Sequence, residues 1–144
     1  MVDERLDDGV RIAQLLSSEL DGRTDGGLAR LTVANPDRTV EGTVAGERAY
    51  DVYRDVPTED SRTEPPRERA AAGSLLAQVF VHEDRVRIEF REGVNAAAAA
   101  ATEASRLRVR PKAVEPPRTL VFVGDGVGVK RVVPVFEAAL GDVE

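Results

Sequence analysis

Four cations stand at alternate positions in the last third of the chain: Arg106, Arg108, Arg110 and Lys112. In an extended segment successive side chains point to opposite faces, so these four share one face at about 6.7 Å intervals. Leu107 and Val109 then turn the other way, toward a core. If this strand joins the sheet that carries Arg85, Arg87, Arg91 and Phe80, the cations gather on one surface. Such a surface has three uses. It can grip an acidic protein or a second copy, since Arg is favoured in protein contacts. It can track a phosphodiester backbone and stack a base on the aromatic ring. Or it can simply be solvated, with Arg stems covering apolar surface and heads pairing with carboxylates.

A second constellation is Gly124-Asp125-Gly126-Val127-Gly128-Val129-Lys130, set between an apolar run and a helical pattern. A glycine turn entering a helix can cradle phosphate, which makes Gly124, Gly126, Gly128 and Lys130 a candidate anion site. The spacing is G-x-G-x-G rather than G-x-G-x-x-G, and Lys130 is followed by Arg131 rather than Ser or Thr. Asp125 would repel a phosphate, and the competing reading is a tight turn with Asp125 as a cap.

Other catalytic patterns find little support. His82 is the only histidine and adjoins Glu83 and Asp84. Consecutive residues point in different directions, so they do not converge on a metal, and an exposed polar turn is expected. Ser17, Ser18, Ser61, Ser74 and Ser105 lie outside any nucleophile-elbow context. Carboxylate pairs at Asp7-Asp8, Glu59-Asp60 and Glu89 with Glu92 read as solvated surface in a chain this charged. With no cysteine, disulfides, thiolate metal sites and thiol nucleophiles are excluded. No cofactor or metal is implied, and the expectation leans away from an enzyme.

The molecule that must position these groups has 144 residues and a net charge of −6. That charge argues against a surface that grips nucleic acid all over, though not against a local basic patch. Arg outnumbers Lys 18 to 2. No apolar run reaches the length of roughly 18 residues that a membrane helix needs, and the N-terminus lacks a signal-peptide pattern. A cytoplasmic protein is expected.

Hydrophobic spacing predicts a helix over Asp3–Leu20, weakened by Gly9, then a strand over Leu28–Ala34. A turn at Asn35-Pro36-Asp37 leads to alternating runs at Thr39–Val44 and Ala49–Val56. Residues 57–73 open with a proline-containing, charged stretch without apolar residues, read as a mobile loop within a single domain spanning 1–144. The clearest pattern is a hairpin with a Glu83-Asp84 turn, pairing Val81 with Val86, Val79 with Ile88 and Ala77 with Phe90. Asn95 is expected to cap the alanine run Ala96–Ala104 as a helix. Leu107–Val109 reads as a strand extending toward Ala113, and Thr119–Val123 as a central strand buried on both faces. A last helix runs to Gly141 with Pro134 inside it. Alternatively, Val127–Val133 is a strand and Pro134 the first helical residue. The order gives an α+β fold: a mostly antiparallel sheet with helices on one face, a two-layer sandwich.

Through Asp3-Glu4-Arg5-Leu6, Leu107-Arg108-Val109-Arg110-Pro111-Lys112 and Thr119-Leu120-Val121-Phe122-Val123, the chain resembles small uncharacterised proteins of halophilic archaea. The resemblance covers the two ends better than the middle. It implies a high-salt cytoplasm and supplies no activity or ligand. The expectation is a non-catalytic protein that contacts a protein or its own copy through Arg85, Arg87, Arg106, Arg108, Arg110 and Lys112. Nucleic-acid binding by that face comes next, and phosphate binding at the glycine turn third.

Overall fold

The computed structural model describes residues 8–22, 31–54, 73–104, 107–114 and 116–143. The loop expected at 57–73, apart from Gly73, the helical start before Asp8 and Arg106 lie outside the described residues. In chain order the elements are α1 (Gly9–Gly22), β1 (Leu31–Ala34), β2 (Glu47–Arg54), β3 (Ser74–Val81) and β4 (Val86–Phe90). There follow α2 (Val94–Glu103), β5 (Leu107–Lys112), β6 (Arg118–Val123) and α3 (Gly126–Val143).

The six strands form one antiparallel sheet in the order β1-β2-β3-β4-β6-β5. The fold is α+β, as the pattern of periods predicts. The hairpin register is the predicted one: Val81 opposes Val86, Val79 opposes Ile88, and Ala77 opposes Phe90. On the same face β6 adds Val121 and Val123, and β5 adds Leu107 and Val109. This apolar face meets Ile12 and Leu16 of α1, Ala97 and Ala101 of α2, and Val129, Val132 and Phe136 of α3 in one core. Phe90 and Phe136 touch at 4.9 Å between ring centroids, in a tilted pair. The Tyr50 hydroxyl donates to the Ala13 carbonyl at 2.8 Å and ties α1 to β2. The alanines of α2 carry little bulk, which allows the helix to lie close on β5 and β6.

Several expectations are corrected. The first helix begins at Gly9, where the Asp8 carboxylate accepts from Val10 N–H at 2.9 Å as a cap. Gly9 is no weak point within a helix: its N–H donates to the Glu83 carbonyl, and a Cβ there would fall on the His82 carbonyl oxygen. Residues 39–44 form no strand; the Asp37 carboxylate takes both the backbone N–H and the hydroxyl of Thr39, which competes with strand pairing. The cap of α2 is Gly93 at φ 60, not Asn95; a Cβ at Gly93 would collide with Ala139 of α3. The last helix runs unbroken from Gly126 through Pro134, so the rival strand over Val127–Val133 is wrong. Pro134 stands on the exposed side of the helix, outside the packed core. Finally, β6 is interior but buried on one face only, and Leu120 and Phe122 stand half-buried on the other.

Candidate functional site

The face of the sheet opposite the helices holds the cations. Cross-strand pairing aligns Arg48, Phe80, Arg87, Phe122 and Arg108 in one row over β2, β3, β4, β6 and β5. The row alternates cation and aromatic ring. The next row runs Asp51, Gln78, Glu89, Leu120 and Arg110. It passes from acidic at the β2 end to basic at the β5 edge. Lys112 opposes Arg118 beyond it.

Glu89 organises the centre. Its side chain is only 3% exposed, yet it is charged and needs partners. Its Oε2 accepts from Arg87 Nε at 2.9 Å, and its Oε1 accepts from Arg118 Nη1 at 3.0 Å. Lys112 Nζ lies 3.8 Å from the same Oε1. One negative charge thus stands among three positive ones, and the cluster keeps a positive excess. Arg118 Nε is buried with no acceptor, so the cluster is also short of acceptors. Farther along the sheet, Gln78 donates to Asp51 and accepts from Arg91, while Asn35 also donates to Asp51.

His82 is corrected from an exposed turn residue to a buried one. Its Nδ1 lies 2.9 Å from the Val44 carbonyl, which only accepts, so Nδ1 carries the proton. Its Nε2 lies 3.0 Å from Arg87 Nη1, which only donates, so Nε2 accepts. The ring is therefore neutral, and both nitrogens are used. Burial holds its pKa below the ordinary value; the Val44 carbonyl opposes this, and Arg85 and Arg87 reinforce it. Arg87 also donates to the Ala45 carbonyl and stacks 4.5 Å above the Phe80 ring. It thereby joins the hairpin to residues 44–46.

Arg108 and Arg110 differ from these neighbours. Both are exposed, and among the described residues neither makes an ion pair. With Arg85, Asp84, Phe122 and Leu107 they line an open cleft of about 890 Å³ at the β5 edge. Arg85 pairs with Asp84 at 2.8 Å and reaches over the Phe122 ring at 5.7 Å. The structure thus brings Arg85, Arg87, Arg108, Arg110 and Lys112 onto one face, as their spacing predicts. Sequence reasoning missed Phe122, Arg118 and Glu89. Treating 119–123 as buried on both sides hid the first, although alternation from Arg118 to Val123 was there to see.

The glycine turn is built differently from a phosphate cradle. The Asp125 carboxylate accepts from Gly128 N–H at 2.7 Å, so the start of α3 already holds an anion. Lys130 points into a separate groove beside Ala100, Glu103 and Pro134. Among the described residues no three His, Cys, Asp or Glu side chains converge as metal ligands. Nor is any described helix long and apolar enough to cross a membrane.

Fold and face together define a two-layer α+β protein with a cationic sheet surface turned away from its helices. The chain belongs to the family of unknown function DUF7993, which matches residues 1–144. Neither curated proteins nor solved structures give a match.

Proposed function

We propose that the protein is non-catalytic and works by contacting an acidic protein surface through the outer face of β4, β6 and β5. One observation carries this reading. Among the described residues Arg108 and Arg110 are exposed without ion pairs, while Arg85, Arg87, Arg118 and Lys112 each have a carboxylate. Half-buried Leu120 and Phe122 beside them supply the apolar ground that protein contacts use. Tagged wild-type protein in native extract is expected to recover a defined partner in fixed ratio, and Arg108→Glu with Arg110→Glu to lose it. Equal recovery by both proteins would contradict the proposal.

A second reading is single-stranded nucleic acid on the alternating Arg and Phe row. It is disfavoured because guanidinium groups already lie over Phe80 and Phe122, where bases would stack. Fluorescence anisotropy with single-stranded RNA across a salt series separates the two. Tight, steeply salt-dependent binding would favour this second reading.

A further inference from the structure

We propose that β5 accepts an extended acidic protein segment as an additional strand. The inference rests on the docking reading above and specifies how the partner is held. Among the described residues β5 is an edge strand of the sheet and is hydrogen-bonded to β6 alone. Its register with β6 runs without a shift from Leu107 to Lys112, so the far side offers a regular row of main-chain groups. Strand addition to such an edge gains affinity from the backbone and specificity from alternate side chains.

The alternation at this edge has a definite chemistry. On the outer face Arg108 and Arg110 are exposed, without ion pairs among the described residues, and would sit beside every second side chain of the newcomer. Carboxylates fit there. On the other face Leu107 and Val109 pack on the core but remain half-buried. Apolar side chains of the newcomer would complete their cover. The matching segment therefore alternates acidic and apolar residues. Pro111 has no N–H to give, so the ladder is anchored on Leu107–Arg110.

Charged residues and proline at a sheet edge also guard against aggregation. Here the guard is selective. Pairing of β5 with the β5 of a second copy would bring Arg108, Arg110 and Lys112 close to the same residues. Like charges across strands repel, so a second copy is a poor occupant and an acidic segment a good one.

The test uses the full chain and a labelled, end-blocked octapeptide alternating Glu and Val, at low salt. The expected result is binding that weakens at least about tenfold in R108E/R110E and in the milder R108Q/R110Q. The Lys-Val counterpart should not bind. Two further peptides carry N-methyl groups, on the Glu residues in one and on the Val residues in the other. Only one set of amides faces β5, so one peptide should lose affinity at least about tenfold more than the other. Hydrogen exchange at Leu107–Arg110 should slow in the complex. Arginine-dependent binding with equal affinities for the two methylated peptides and unchanged exchange overturns strand addition while leaving the docking face. No binding of the Glu-Val peptide overturns both. A dimer that forms through β5 and is displaced by the peptide also overturns the proposal, since the natural occupant would then be a second copy.

Discussion

Glu89 is the residue on which the cationic face turns. Its buried carboxylate fixes Arg87 and Arg118 and draws Lys112 inward. Glu89→Ala should cost about 1–3 kcal/mol in chemical denaturation, since charged hydrogen bonds are lost while the freed cations can still reach water. His82 gives a pH signature. The unfolded imidazole titrates near 6.5 and the folded one lower, so below about pH 6.5 the unfolded chain binds more protons. Stability should therefore fall as pH drops through this window toward the folded pKa. His82→Gln should flatten that fall in melting temperature; an unchanged slope would show that His82 is not responsible. Gly9→Ala should cost about 1–3 kcal/mol, far more than a helix N-terminal glycine ordinarily matters, because the hairpin turn occupies the space of its Cβ. None of these three roles was legible in the chain. Each depends on a partner distant in sequence: Arg118 for Glu89, Val44 for His82 and the His82 carbonyl for Gly9.

At the scale of elements, local period carried most of the information. The hairpin of β3 and β4 could be registered residue by residue because alternation puts Ala77, Val79, Val81, Val86, Ile88 and Phe90 on one side and a two-residue Glu83-Asp84 turn then fixes the pairing. β5 was legible for the same reason, with Arg108 and Arg110 alternating against Leu107 and Val109. The failures came from a local contact at Asp37–Thr39 and from tertiary packing elsewhere. Gly93 rather than Asn95 caps α2, at a place where Ala139 leaves no room for a Cβ, and α3 persists through Pro134 because its buried face continues past it with Val135, Phe136 and Ala139. Pro134 is exposed and contributes no core packing. Pro134→Ala should raise stability by about 2 kcal/mol, the interior-proline penalty less the added freedom of the unfolded chain. A lower melting temperature in this variant would show that the helix needs its proline geometry.

For the whole molecule, the decisive property is segregation of charge. The chain carries net −6, yet the β4, β6 and β5 part of its outer sheet face sets Arg85, Arg87, Arg108, Arg110, Lys112 and Arg118 against the carboxylates of Asp84 and Glu89. Such a separation of charge would orient the proposed acidic partner toward one side. The most direct test is a backbone NMR titration of the isotope-labelled chain with short polyglutamate at low salt. Shift changes are predicted to concentrate on Leu107–Lys112 and Leu120–Phe122, and to disappear in R108E/R110E. Changes centred on the helical layer, or equally large in the charge-reversed protein, would contradict the cationic sheet face as the working surface.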